Sequence, residues 1–118
     1  MITSRFTENG WLQVTVQPDK ATDQIESFQA KVGKSELQDF ISCVDEVLRR
    51  IEWVEMNLES TESKEIQLNA DVVRFGSFVC ISYLSIYRVH LIFRSSSMYL
   101  SIGELEGLLS SLKELLDS

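Results

Sequence analysis

The sequence predicts an α+β protein, in which a meandering antiparallel β-sheet of about six to seven strands carries two amphipathic helices. Three observations lead to this prediction. Two segments, 35–48 and 101–116, repeat apolar residues at helical spacing. The segments around them alternate apolar and polar residues instead, and only one proline and five glycines interrupt the chain. We therefore expect a single α+β domain over residues 1–118.

Each helical segment carries a stripe of apolar residues that falls on one helix face, at i, i+3, i+4, i+7, i+10 and i+11. Ser35 with Gln38, and Ser101 with Glu104, have the spacing of a capping box. Relative to its stripe, the second box begins two positions earlier than the first box does. We therefore interpret the similarity of the two helical segments as convergence rather than duplication. The stripes are Leu37, Phe40, Ile41, Val44, Val47 and Leu48, and Leu105, Leu108, Leu109, Leu112, Leu115 and Leu116.

The remaining elements are predicted as strands, because apolar and polar residues alternate there with a period of two. Segment 77–84 is apolar on both sides and should lie deepest. Polar loops are expected at 18–23 and 60–65, and turns at 74–77 and 94–97. The predicted strands are 11–16, 27–32, 53–59, 66–72, 77–84, 87–93 and a short one at 98–100.

Charge is distributed unevenly along the chain. The net charge is −7, and residues 35–71 contain ten acids against three bases. Residues 72–100 contain three arginines and no acid. An acidic surface repels phosphate backbones and attracts basic partners. The sequence therefore disfavours nucleic acid and favours a basic protein partner, while acidity that serves only solubility stays an alternative.

The cysteines and the apolar runs predict a cytoplasmic protein. Cys43 and Cys80 are too few for a disulfide framework, and we expect both in the core. The N-terminal residues contain no apolar region of the signal-peptide type. No apolar run approaches the roughly 20 residues that cross a bilayer, so we expect no membrane partner.

The sequence contains no motif typical of catalysis, metal binding or cofactor binding. The letters GKS at 33–35 lack the earlier glycine of a phosphate-binding loop, because Phe28 stands at that position. His90 is the only histidine, and we expect it on the solvent side of a strand rather than in a metal site. We therefore expect no enzyme activity and no cofactor.

Three stretches of the chain share their strand and helix order with a known family. They are ESFQAKVGKSELQDFISCVDEVL, then VEMNLES with IQLNADVVRFGSFVCISY, and finally VHLIFRSSSMYLSIGELEGLLSSLKELL. Over these stretches the chain resembles the WapI-like immunity proteins of bacterial contact-dependent toxin systems. The resemblance implies a cytoplasmic protein that binds a cognate toxin domain and blocks its active site or substrate groove, without a cofactor. Many such toxins are nucleases and therefore basic, which agrees with the acidic segment 35–71.

The predicted binding surface lies in strand 53–59 and the loop that follows it. Val54, Met56 and Leu58 should face the core, so that the opposite side presents an aromatic residue among acids. Such a combination is typical of an interface hot spot. A solvated strand edge with a partly buried tryptophan stays an alternative. The predicted partner-binding residues are Trp53, Glu55, Asn57, Glu59, Glu62 and Glu65.

Two other classes of function stay open. A small acidic binding module or secretion chaperone would have a similar composition, although such chaperones usually begin with a helix and this chain is predicted to begin with a strand. The second alternative is a sheet that binds single-stranded nucleic acid through arginine and aromatic side chains. Its candidates are Arg74, Arg88, Arg94, Tyr83, Tyr87 and Tyr99.

Overall fold

A computed structural model describes residues 2–16, 26–56, 71–83 and 88–117. Within these ranges the chain forms seven strands and two helices, which confirms the predicted α+β class. The strands are β1 (Ile2–Phe6), β2 (Trp11–Val16), β3 (Glu26–Lys31), β4 (Asp71–Phe75), β5 (Phe78–Tyr83), β6 (Arg88–Phe93) and β7 (Ser96–Ser101), and the helices are α1 (Lys34–Met56) and α2 (Ile102–Asp117).

The described strands form two antiparallel meanders, β1-β2-β3 and β4-β5-β6-β7. The two sheets lie edge to edge, since β3 is next to β7 and the Ser96 hydroxyl donates to the Gln29 carbonyl at 2.7 Å. Helix α1 packs against β4 and β5, while α2 packs against β1, β7 and α1. One face of each sheet therefore builds the core with the helices.

Period-two alternation predicted the inward residues of most strands correctly. Phe78 and Cys80 of the predicted deepest strand are fully buried, and β5 lies between β4 and β6. The short strand predicted at 98–100 is the longer β7. Buried alternating residues on the other strands are Leu12, Val14, Val16, Phe28, Ala30, Val89, Leu91 and Phe93, and Val32, directly after β3, is buried as well.

Strand β1 was not predicted from the sequence. It pairs with β2 from Ile2↔Val16 to Phe6↔Leu12. Apart from its pairing, it is attached to α2 through a hydrogen bond between the Ser4 and Ser111 hydroxyls at 2.5 Å. Ile2 is its one apolar residue packed against the core, so β1 lacks the apolar alternation that marks a strand.

Helix α1 is longer at both ends than predicted. It begins at Lys34, where the Leu37 N–H donates to the Gly33 carbonyl at 2.9 Å. Ser35 therefore lies inside the first turn and is not the N-cap of a capping box. At the other end the helix includes 53–56, so the predicted strand at 53–59 is wrong for its described part. Buried Val47, Ile51 and Val54 continue the helical stripe, and Met56, predicted to face the core, is 78% exposed.

Strand β4 has the opposite alternation from the one predicted. Val72, which was expected to face the core, is 47% exposed, and Val73 is buried instead. Val73 is the Cα partner of Cys80 on β5, which fixes it on the inner face. Residues 66–70 of the predicted strand, with Leu58, lie outside the described residues. The turn between β4 and β5 has Gly76 at φ 57°, as its glycine predicted.

Phenylalanines connect α1 to both sheets. The Phe40 ring stacks on Phe78 with centroids 4.4 Å apart, and Phe78 stacks on Phe93 at 4.2 Å. Phe28 of β3 completes the cluster at 6.3 Å from Phe40. Aromatic stacking of this kind adds to the large apolar area that each ring buries. Helix α2 contributes Leu105, Leu108 and Leu112, which are fully buried.

Both cysteines lie in the core, as expected. Cys43 of α1 and Cys80 of β5 are fully buried free thiols, with their Sγ atoms 3.4 Å apart. The contact with the Cys43 side chain and burial raise the pKa of Cys80 well above the ordinary range of a thiol. Cys80 is therefore a neutral, apolar-like packing residue at physiological pH.

The capping box predicted for α2 is present. The Ser101 N–H donates to Glu104 Oε1 at 2.9 Å, and the Glu104 N–H donates to Ser101 Oγ at 3.2 Å. Two N–H groups at the start of the helix are thus satisfied by two side chains.

Truncating the central ring of the phenylalanine cluster should destabilise the protein strongly. We expect Phe40→Ala to lower the free energy of unfolding by about 3–5 kcal/mol, because it removes buried apolar area and leaves a cavity. Leu109→Ala, at a partly buried stripe position, is the matched control and should cost less than about 2 kcal/mol. Urea unfolding followed by circular dichroism measures both, and equal losses would contradict this ranking.

The two candidate capping serines should respond differently to substitution. Ser101→Ala removes a hydroxyl that accepts from the helix backbone and should lower the free energy of unfolding by about 0.5–2 kcal/mol. Ser35→Ala lies within the first turn of α1 and should change it by less than about 0.5 kcal/mol. Thermal unfolding of both variants tests this, and a larger loss for Ser35→Ala would place the α1 cap at Ser35 after all.

Candidate protein-binding surface

Two of the six predicted partner-binding residues lie within the described part of the chain. Trp53 and Glu55 are both exposed, in the last turns of α1. The other four, Asn57, Glu59, Glu62 and Glu65, lie outside the described residues, so the prediction for them stays a prediction.

Trp53 and Glu55 point to different sides of α1. Two positions along an α-helix correspond to a rotation of about 200° around its axis. The expectation that both share one strand face is therefore wrong. The residue that shares a side with Trp53 is Met56, three positions later. Trp53 is 57% exposed and Met56 78% exposed, so together they form an apolar crest, defined as Trp53 and Met56, at the end of the helix.

Glu55 belongs to a cleft between the two helices. Glu52 and Glu55 of α1 and Glu106 of α2 supply its carboxylates, and the cleft has a volume of about 150 Å³. We refer to it as the acidic cleft. Its apolar lining consists of Leu48, Ile51 and Ile102.

Helix geometry explains why these groups meet. Leu48, Glu52 and Glu55 are spaced i, i+4 and i+7, which places them along one side of α1. Ile102 and Glu106, spaced i and i+4, do the same on α2, and the packing of α1 against α2 brings the two sides together. Carboxylates and aliphatic side chains thus line the same opening.

The acids of the cleft differ in their pairing from three of the four other acids of α1. Asp45 pairs with Arg49 at 3.0 Å, Glu46 with Arg50 at 3.1 Å and Glu36 with Arg94 at 3.4 Å. Among the described residues, Glu52, Glu55 and Glu106 form no such ion pair. The cleft therefore concentrates negative charge that the described basic side chains do not offset.

Arg50 forms a charge network on the β4 side of α1. Its guanidinium contacts Glu46, Asp71 at 3.1 Å and the Val72 carbonyl at 3.4 Å. The hydrogen bond with Glu46, and then the charge of Asp71, raise the pKa of Arg50 above its already high ordinary value. Charge is thus paired on the β4 side of α1, in contrast to the cleft on the α2 side.

Searches against protein-family models, curated proteins and solved structures gave no match for this chain.

Other features of the described residues bear on other kinds of site. Within the described ranges, no three His, Cys, Asp or Glu side chains come together as metal ligands would. Neither described helix has an apolar stretch long enough to cross a lipid bilayer. A second opening of about 380 Å³ is lined mainly by apolar residues and one lysine. Its lining residues are Phe6, Gly10, Val32, Lys34, Leu37, Leu115 and Leu116.

Only some of the arginines and tyrosines predicted for nucleic-acid binding lie on one common face of the sheet. Arg74, Arg88 and Tyr99 are exposed on the sheet face away from the helices, with Tyr83 partly exposed on the same face. Arg94 lies instead in the β6–β7 turn at φ 53° and pairs with Glu36. Tyr87 lies outside the described residues.

Sequence reasoning missed Glu52, Met56 and Glu106 as members of the surface. The first two had a readable signal, because the core stripe continues through Ile51 and Val54 and so predicts helix, not strand, at 52–56. Glu106 had none, since its place beside Glu55 depends on how two distant helices cross.

Reversing charge in the acidic cleft should leave the fold intact. We expect the double variant Glu52→Lys/Glu55→Lys to change the free energy of unfolding by less than about 0.5 kcal/mol, because exposed charges contribute little. Urea unfolding at low and high salt measures this. A loss above about 1 kcal/mol would show that the two glutamates hold α1 and α2 together instead of forming a free surface.

Proposed function

We propose that this protein is an immunity protein that binds and neutralises a basic bacterial toxin domain, without catalytic activity of its own. The observation that supports this best is the acidic cleft between α1 and α2, next to the exposed apolar crest of Trp53 and Met56. The family resemblance of the sequence agrees with this choice.

The acidic cleft suits a lysine or arginine side chain of the toxin. The aliphatic part of such a side chain would pack on Leu48, Ile51 and Ile102, as long basic side chains do at apolar surfaces. Its charged end would then reach Glu52, Glu55 or Glu106. An arginine could form two parallel hydrogen bonds with one carboxylate, which makes the contact directional as well as attractive.

The apolar crest would supply affinity that charge alone does not. Tryptophan is enriched among the few residues that dominate binding energy, and methionine adapts to irregular partner surfaces. Charge on the cleft and apolar area on the crest lie on the same end of α1. A toxin that covers this end would bury both.

Neutralisation would follow from the charge pattern of a nuclease-type toxin. Such a toxin needs a basic groove to hold the phosphates of its substrate. The carboxylates of Glu52, Glu55 and Glu106 carry the same sign of charge as those phosphates and would occupy the groove in their place. Electrostatic attraction would also speed the encounter and exclude acidic proteins.

Variants of the acidic cleft and the crest should change toxin binding in different ways. The proposal predicts that the neighbouring open reading frame encodes a large secreted protein, and the C-terminal domain of that protein is the toxin to use. We expect Glu52→Lys/Glu55→Lys to lower the association rate about 10-fold at low salt and to flatten its salt dependence. Trp53→Ala should mainly raise the dissociation rate. Biolayer interferometry measures both rates.

The matched control carries the same charge change far from the cleft. Glu114→Lys/Asp117→Lys alters the last turn of α2, and it should keep association within about 3-fold of the wild type. Growth of bacteria that express the toxin domain with each variant gives the neutralisation readout. Binding without protection would indicate a chaperone, and unchanged binding by the cleft variant would place the toxin surface elsewhere.

A further inference from the structure

The four-stranded sheet has a second face that none of the described elements covers. Helix α1 packs on the inner face, where Phe40 contacts Phe78 and Cys43 contacts Cys80. The alternate residues of β4–β7 point the other way and form what we term the outer sheet face. Its members are Val72, Arg74, Val79, Ile81, Tyr83, Arg88, His90, Ile92, Ser97, Tyr99 and Ser101.

The centre of the outer sheet face is apolar. One cross-strand row joins Val72, Ile81, His90 and Tyr99, and Val79 and Ile92 are paired in the next row. A solvated face of an antiparallel sheet usually carries polar residues. Here Val72 is 47% exposed and Tyr99 50% exposed, while the aliphatic residues between them are partly exposed.

The aromatic end of this row is ordered by a ring contact. The rings of His90 and Tyr99 stack with centroids 4.1 Å apart and planes within 8° of parallel. Because the two residues are direct cross-strand partners, the stack is supported by the backbone pairing of β6 and β7. It gives the face a rigid aromatic border.

Positive charge lies at the rim of the same face. Arg74 is on β4, which is at the edge of the described sheet, and Arg88 is the first residue of β6. Neither forms an ion pair with a described residue, and residues 72–100 contain no acid. An apolar centre with a charged rim is the usual anatomy of a protein interface, and tyrosine and arginine are enriched there.

We propose that the outer sheet face binds an acidic amphipathic helix of a partner protein. Four strands about 4.8 Å apart span roughly 14 Å, which matches about three turns of helix laid across them. The apolar stripe of that helix would cover Ile81, Ile92 and Val79, and its flanking carboxylates would meet Arg74 and Arg88. The inner face of the same sheet already packs against α1, which is itself an acidic amphipathic helix.

Charge complementarity selects this partner over two others. A basic toxin would be repelled by Arg74 and Arg88, so this partner is distinct from the one proposed for the acidic cleft. A second copy of this chain meeting the same face would bring identical arginines together. The two surfaces lie on opposite sides of the sheet, which lets one molecule hold both partners at once.

Designed peptides test the proposal without knowledge of the natural partner. The first probe is a fluorescent helical peptide of about 18 residues, with a leucine stripe flanked by glutamates. The second has lysine in place of every glutamate, and the third probe is a short oligothymidylate. Fluorescence anisotropy at low salt should show the acidic peptide binding about 10-fold more tightly than the basic peptide, with the difference shrinking as salt is raised.

Variants of the outer sheet face assign the binding to it. Arg74→Glu/Arg88→Glu changes only exposed residues and should reverse the preference, so that the basic peptide binds more tightly. Ile81→Asp should weaken both peptides at least about 10-fold. Arg49→Glu, an exposed arginine of α1, should leave the preference for the acidic peptide in place. Circular dichroism confirms that each variant is folded.

Three results would overturn the proposal. The first is equal binding of the two peptides by the Glu52→Lys/Glu55→Lys variant, whose acidic cleft cannot hold the lysine peptide, and the second is a preference that Arg74→Glu/Arg88→Glu leaves unchanged. The third is tighter binding of oligothymidylate than of the acidic peptide, lost in the arginine variant, which would make the face a nucleic-acid surface. These results concern the outer sheet face alone, because the charge of the acidic cleft is reversed in the variant in which the two peptides are compared.

Discussion

The stack of Phe40, Phe78 and Phe93 is the contact on which the rest of the structure depends. It attaches α1 to the inner face of the four-stranded sheet, with ring centroids 4.4 and 4.2 Å apart. Once these rings fix the rotation of α1, the outward positions of the helix are fixed as well. The acidic cleft, the apolar crest and the pairing of Arg50 with Asp71 all follow from that rotation. The same packing leaves the opposite face of the sheet for other contacts.

Two surfaces of opposite charge result from this arrangement. The helix side carries the three carboxylates of the cleft, and the outer sheet face carries Arg74 and Arg88 without an acid from residues 72–100. The net charge of −7 is therefore not evenly distributed, and the two sides of the molecule carry charge of opposite sign. Association at one side need not block the other, because the four-stranded sheet lies between the outer sheet face and helix α1.

Sequence patterns predicted elements where one face is buried and the pattern is uninterrupted. The strand with Leu12, Val14 and Val16 and the capped start of α2 are examples, since their signals are local. The pattern failed at 53–56, where four residues fit a strand as well as a helix and only the preceding turns of α1 decide between them. It failed at Val72 because the pairing of Val73 with Cys80 sets the alternation of β4.

The candidate site was less predictable than the fold. The sequence indicated Trp53 and Glu55 because an aromatic residue stands among acids there. Whether their side chains share a face depends on whether the segment is a strand or a helix. The acidic cleft needs Glu106, which is distant in sequence and reaches Glu55 only through the crossing of α1 and α2. The outer sheet face was visible as an arginine-rich region without acids, yet its apolar centre appears only when cross-strand partners are known.

The position of Arg50 also bears on how the protein avoids aggregation. Among the described strands β4 is at the edge of its sheet, and an edge strand offers free backbone groups to strands of other molecules. The guanidinium of Arg50 on the Val72 carbonyl, the carboxylate of Asp71 and the side chain of Arg74 place three charges along this short strand. A strand from another molecule that paired here would have to desolvate those charges. The ion pair between Arg50 of α1 and Asp71 of β4 thus also makes the addition of a further strand to this edge unfavourable.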